Sequence, residues 1–590
     1  MPDNNLPEWD LTDIYPAPDS TAIEADFLRA DILSKDFAKR YRGNLADING
    51  EEMGQAIRDF EVITEILYKT MSYAQLLYAA DVSDGECGRF YQTTQERVTD
   101  ISGETLFFQL ELNRLDDDVL GKQLESKGTA HYASWIRDVR AFRDYQLSDE
   151  LEKLLHEKSV SGRAAWIRLF DETEAGLRFP LDGKKLGMSD VLNQLSDTDA
   201  KERKKAAKVL GQLLKENVKL FSLVTNTMAK DKATEDAWRS YPRPISERNL
   251  SNQVEDHVVE ALVSSVKRAY PDLSHRYYRL KSKWFGVDAL DYWDRNAPLP
   301  NDDNHNYSWD DARKTVLNAY GGFDPKMANV AEQFFENNWI DARLRAGKSS
   351  GAFSHSTVPS VHPYILMNFQ GKARDVTTLA HELGHGIHQV MSAQQGTLMA
   401  DTPLTTAETA SVFGEMLTFR SMLDVEDNPV RRRILLAGKV EDMLNTVVRQ
   451  IAFHTFETRV HDERTLGELS SERLCDIWME VQCESLGDGV RFDDDYRSYW
   501  AYISHFIHMP FYVYAYAFGD CLVNSLYEVF QGGHKGFQEK YLDMLGAGGT
   551  RRHKELLAPF GLDASDPEFW NRGLGMVSGF VDELEQTALE

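Results

Sequence analysis

Cysteine is scarce in this chain. Its four residues, Cys87, Cys475, Cys483 and Cys521, lie far apart and form no C-x-x-C pair. That spacing excludes a disulfide framework and a thiolate metal site, and separated thiols suit a reducing compartment. Long apolar runs are also missing: no uncharged stretch approaches the ~20 residues that cross a bilayer. The opening residues, MPDNNLPEWDLTDIY, are acidic and contain no basic segment followed by an apolar one, so they do not read as a secretory leader. Basic residues number 66 against 94 acidic ones, a formal charge of −28. Such an excess repels phosphate backbones and anionic headgroups, which makes nucleic acid and membrane surfaces poor partners. The expected location is the cytoplasm. Low-complexity tracts and repeats of fixed period are absent as well.

What is present is globular. With 590 residues, 42% of them hydrophobic and 27% charged, the chain can bury a large core and is expected to form two or more subdomains around a cleft. From 20 to 290, apolar positions recur at three and four residues, as in AIRDFEVITEILYKTMSYAQLLYAA, the period of amphipathic helices. RFPLDGKKLG (178–187) and SYPRPISERNL (240–250) read as loops between helical blocks. A boundary near 190 divides an N-terminal helical lobe, 1–190, from a second region, 191–590. Between 337 and 372 the period changes, and WIDAR and PYILMNF read as short strands of a small sheet. Helical periodicity resumes over 377–393, 404–424, 429–460, 471–485 and 495–532. The fold class is therefore mainly α, two helical lobes with a small sheet next to the helix that follows it.

That helix, TTLAHELGHGIHQV (377–390), carries three histidines and a glutamate on an otherwise apolar segment. Residues four apart project from nearly the same side, so His381 and His385 can offer two imidazole nitrogens to one point. Zn²⁺ accepts such nitrogens, and Glu382, beside the first of them, is placed to act as general base in an H-E-x-x-H hydrolase. Chance alone yields about 0.07 such matches in a chain of this composition, so the context counts. Asp375 reads as the N-cap of the helix.

A third ligand is needed. His388 is two turns from His381, about 10 Å along the axis, which a straight helix does not reconcile with one metal, although Gly384 and Gly386 could loosen the helix. Glu408, opening the next apolar segment TTAETASVFGEMLTF, is the preferred candidate, giving a His₂Glu set, with Glu415 as an acid that orients a ligand imidazole. Further on, YISHFIHMPFYVYAYAFGD (502–520) sets His505, His508, Tyr512 and Tyr516 in one stripe if it is helical, which Pro510 interrupts. Such groups can donate to an oxyanion. The strand within HPYILMNFQG (362–371) could accept an extended peptide along an exposed edge.

Taken together, GAFSHSTVPSVHPYILMNF, TLAHELGHGIH, AETASVFGE and HFIHMPFYVYAYAFG, in this order and after the opening PEWDLTDIYP, resemble the M3 metallopeptidases, in particular the oligoendopeptidase F branch. The resemblance spans nearly the full chain. It implies a zincin-like, mostly α body with a deep channel and one Zn²⁺ per chain. It also implies His381, His385 and Glu408 as ligands and Glu382 as general base. His505, Tyr512 and Tyr516 would be catalytic contacts, with His508 and Tyr514 at the substrate. The expected activity is endopeptidase cleavage of short unstructured oligopeptides by a monomer or weak homo-oligomer. Two other readings stand beside it. A zinc carboxypeptidase would need a cation such as Arg449, Arg459 or Arg497 to hold the substrate's free carboxylate, and a non-catalytic helical scaffold would only bind peptides.

Overall fold

The computed structural model describes residues 6–159, 161–300, 305–345, 347–349 and 351–589. The first five residues of the acidic opening, and residues 346 and 350 of the glycine and serine stretch ahead of the sheet, lie outside this range. The described chain is mainly helical, and none of its helices is long and apolar enough to cross a membrane. Contacts group it into two compact units: Met1–Arg143, Asn304–Val425 and Phe530–Gly561 form one, and Asp144–Asp303, Glu426–Val529 and Leu562–Glu590 the other. The units are interleaved along the chain, a partition of another kind from the sequential one at 190.

In the first unit the helix Gly50–Ala80 starts at a capping box, in which Asn49 accepts from the Glu52 N–H and Glu52 accepts from the Asn49 N–H. Its buried face supports an aromatic cluster of Phe37, Phe60, Phe108 and Trp135, with ring centroids 5.0–6.3 Å apart. The small sheet has three strands. Tyr364–Leu366 is the inner one, parallel to Ile340–Asp341 and antiparallel to Phe353–His355. The strand expected to present an open edge therefore has both edges paired, and all three of its residues are buried. Its apolar run Tyr-Ile-Leu suits that central position.

After the sheet comes the motif helix, Ala373–Ser392. Its N-cap is Lys372, not Asp375. Asp375 stands three residues in, and its carboxylate accepts the N–H groups of Lys372 and Gln370 at 2.9 and 2.8 Å. The acid thus serves the helix terminus from inside the first turn, where it also meets the positive end of the helix dipole. The next helical stretch is broken at one residue: Leu404–Ala407 and Thr409–Val425 flank Glu408.

In the second unit the longest helix, Ala200–Arg239, ends on a left-handed Ser240. Two expectations change here. RFPLDGKKLG is a β-hairpin rather than a loop, with Phe179–Leu181 paired to Lys184–Leu186 across Asp182 and Gly183, both at positive φ. Asp-Gly is the dipeptide that such a two-residue turn favours. The stretch 429–460 is two helices, Pro429–Thr446 and Val448–Arg464, divided within a run of three β-branched residues, Thr446 to Val448.

The motif helix and Thr409–Val425 approach closely at Gly384, where an added Cβ would overlap the Ala410 carbonyl and Ser411 Cα. Alanine would gain about 1 kcal/mol of helix propensity but overpack against backbone atoms that cannot rotate aside, at about 1–3 kcal/mol. Gly384→Ala is therefore expected to lower the melting temperature, whereas Gly438→Ala, on an exposed helical position with open space around it, raises it. A higher melting temperature for Gly384→Ala would show that the helices are not in this contact.

Candidate metal centre

Three side chains of the first unit converge. His381 Nε2 lies 3.4 Å and His385 Nε2 3.5 Å from the same Glu408 oxygen. The three donor atoms all fall within 4.8 Å of one another. Donors bound at zinc's ordinary distances around a tetrahedral centre lie about 3.4 Å apart, so the set fits one such ion. Among the described residues no other group of histidine, cysteine or acid side chains meets this condition.

Two of the three donors are held from behind. His381 Nδ1 faces Glu415 Oε2 at 3.2 Å, which turns its other nitrogen toward Glu408. Ser411 donates its hydroxyl to the Glu408 oxygen at 2.7 Å. The break at Glu408 is itself anchored: Tyr541 donates to the Thr409 carbonyl at 2.8 Å. His388 does not join the three converging donors. Tyr320 donates to the Ala380 carbonyl and lies against Gly414, tying a third helix, Trp309–Phe323, to the pair.

Charge in this buried space is strongly coupled. Burial raises the Glu408 carboxyl, but the neighbouring His385 and His381 outweigh it and hold it well below the usual range. Burial would depress His381, yet its bond to Glu415 and the charges of Glu408 and Glu382 carry it up to about 9. Glu382, 6% exposed, is raised by burial against the pull of both imidazoles, and among the described residues its carboxylate has no hydrogen-bond partner. An unpaired, desolvated carboxylate next to metal-type ligands is chemically equipped to move a proton.

The residues of 505–516 lie in the second unit and do not form one helical stripe. His505–His508 is a single turn, Phe511 adopts φ +60°, and a new helix runs Tyr514–Gln531. His505, Tyr512 and Tyr516 nonetheless cluster: His505 Nε2 is 3.4 Å from the Tyr516 hydroxyl, and the Tyr512 ring lies 6.0 and 5.1 Å from those of His505 and Tyr516. Burial, with His508 and Arg449 nearby, holds His505 below its ordinary range. His508 turns away to Asp171, 2.7 Å distant. Tyr514 is fully buried, its hydroxyl donating to Asn249 and accepting from Asn252, so the structure puts it in the interior rather than at a substrate surface.

The strained Phe511 is latched by its neighbours. Its N–H donates to Glu457 at 2.9 Å, and the rings of His461 and His454 lie 4.9 and 6.2 Å from its own. Arg248 and Arg163 bind the carbonyls of Pro510 and His508. Glu457 is 2% exposed, and burial pushes its carboxyl up to about 8 against the Phe511 N–H and the Arg248 charge. Between the ordinary glutamate range and pH 8 the folded protein keeps a proton that the unfolded chain releases, so this group makes stability fall as pH rises through that window. Glu457→Gln should therefore gain stability relative to the parent between pH 5 and pH 8, as read from denaturant midpoints. An unchanged difference at the two pH values would contradict the buried protonated acid.

Tyr320 and Tyr541 leave no spacing signal in the sequence, because each acts through a backbone carbonyl. The comparisons with known proteins agree with the geometry. Oligopeptidase PepF of Bacillus subtilis (strain 168) is 26% identical, with 99% of this chain and 87% of the relative covered. An oligoendopeptidase F homolog of Lactococcus lactis subsp. lactis (strain IL1403) is 25% identical over 98% and 96%. The crystal structure of oligoendopeptidase-F from Enterococcus faecium superposes with a TM-score of 0.74 at 21% identity, covering 96% of this chain and 99% of the other, a likeness of fold. Residues 111–179 match the family description Oligopeptidase F, and residues 193–576 match Peptidase family M3. With well over half of its length inside that last match, the chain belongs to peptidase family M3.

Proposed function

We propose that the protein is a zinc-dependent endopeptidase acting on short, unstructured peptides in the cytoplasm. The observation that carries this reading is the convergence of His381, His385 and Glu408 at the separations a tetrahedral ion requires, with Glu382 unpaired beside them. His381, His385 and Glu408 would hold the ion, and Glu415 fixes the tautomer and direction of His381. When bound, zinc supplies Lewis acidity, polarising the scissile carbonyl and making water more acidic. Glu382 takes a proton from the attacking water and returns it to the leaving amine. Its burial favours both steps, since a raised carboxyl holds the transferred proton long enough to deliver it. His505, Tyr512 and Tyr516 are the groups assigned to the developing oxyanion, as N–H and O–H donors.

Short peptides as substrates are supported by the names of the relatives, oligopeptidase and oligoendopeptidase F, and endo cleavage by the second of them. The four cysteines, all free thiols, support the cytoplasm. A carboxypeptidase reading has less to stand on, because Arg459 and Arg497 are engaged with Glu480 and Asp476 at 2.5 and 2.6 Å, and Arg449 stacks on Phe453.

Glu382→Gln is expected to keep the metal and lose about three orders of magnitude or more in turnover. Glu408→Ala should weaken metal retention more than His388→Ala. Mass spectrometry of products from a mixed peptide pool, run beside metal analysis, checks both. Near-normal turnover in Glu382→Gln, or the reverse metal ranking, would refute these assignments. Loss of all cleavage on C-terminal amidation would transfer the enzyme to the carboxypeptidases.

A further inference from the structure

The first unit contains a cavity of about 690 Å³ with His385 on its wall, so it opens beside the converging donors. Its size falls in the range of small-ligand sites. No lysine or arginine lines it. Its one carboxylate is Asp401, which is solvent-accessible yet surrounded by enough protein that burial raises it. Among the described residues that carboxylate has neither a cation nor a hydrogen-bond donor. An exposed anion that faces a cavity and has no partner in the protein is available to a cation on the ligand.

Two further groups on the wall point to the same kind of ligand. Tyr68 is 52% exposed although large and aromatic, and it is near enough to Asp401 for that charge to act on its phenol. Its ring offers a face to a cation. His388 is 5% exposed and lines the same wall, and a neutral imidazole offers one acceptor nitrogen. His362, the remaining imidazole of the wall, is occupied by Asp13 at 3.0 Å and by the Pro363 carbonyl.

We propose that this cavity is a subsite for a positive charge on the peptide, with Asp401 as its counter-charge and Tyr68 and His388 as flanking contacts. The cation is a lysine or arginine side chain close to the scissile bond, or the ammonium of the peptide's own N-terminus. An acidic residue at that place is rejected, because nothing on the wall neutralises it. The assignment rests on the peptidase reading and names a determinant of its sequence preference.

The test compares internally quenched peptides that carry lysine or its uncharged isostere norleucine at each position around the cleaved bond, each with a free or an acetylated N-terminus. For the full-length protein, kcat/KM is expected to favour lysine at one position by about ten-fold, a preference that shrinks as salt is raised. Asp401→Asn should bring that ratio close to one, and Asp401→Glu should restore most of it. Persistence of the preference in acetylated peptides assigns the cavity to the side chain. If acetylation lowers kcat/KM of both peptides by a similar factor and Asp401→Asn removes that dependence, the ligand is the terminal ammonium. Cleavage of both peptides with equal charge ratios in the parent and Asp401→Asn overturns the subsite. Cleavage of neither overturns the peptidase reading alone, and the subsite is then read from fluorescence anisotropy of the same peptides bound to Glu382→Gln and to the double variant with Asp401→Asn. Equal affinities for lysine and norleucine peptides in the first of these, acetylated or not, would again reject it.

Discussion

The centre of this protein depends on three donor atoms being brought to one point from two helical segments. Two of them come almost without cost, since a four-residue spacing on one helix aligns His381 with His385. The third requires that Glu408 sit at a break, where its backbone leaves the helical path and its side chain reaches across. A helix break in a buried place exposes carbonyls that must find donors. Here Tyr541 donates to the Thr409 carbonyl next to the break, and Ser411 adds a bond to the carboxylate itself. Gly384 lets the two segments come close enough for the reach to be short.

The same cluster concentrates charge. Glu382, Glu408 and His381 lie together in space where burial penalises their ionised forms, with Glu415 bonded to His381. Buried charges of this kind are tolerated when they are paired or gathered around an ion. In the proposed enzyme a divalent cation would be the counter-charge that lets these carboxylates ionise together, and the opposite displacements of Glu408 and Glu382 fit a division of labour. The acid within reach of both imidazoles would serve as the ligand, and the one without a partner as the proton carrier.

Much of this was legible in the residue order. H-E-x-x-H on an apolar helical period pointed to the two converging imidazoles and the carboxylate beside them, and the acid-bearing segment after it to Glu408 and Glu415. Periodicity did not reveal the break at Glu408, because what holds the chain there is tertiary: Tyr541, more than a hundred residues away, bonds the carbonyl of the next residue. The 505–516 segment misled for a related reason. A helical projection puts His505, His508, Tyr512 and Tyr516 on one stripe, but the turn at Phe511 re-aims the chain, keeps His505, Tyr512 and Tyr516 together and sends His508 to Asp171 and Tyr514 to the interior. Asp375 was recognised as a capping acid but placed at the wrong rung, since accepting from inside the first turn and from the cap position look alike in sequence. Tyr68 and Asp401 carried no signal at all, being unremarkable residues joined only by the fold.

Anomalous diffraction recorded on either side of the zinc absorption edge, from crystals of the chain purified without chelator, addresses the central claim most directly. The account predicts one strong peak, bonded to His381 Nε2, His385 Nε2 and a Glu408 oxygen at about 2.0–2.2 Å, with His388 outside the coordination sphere. A peak elsewhere, or one in which His388 replaces Glu408, would contradict it.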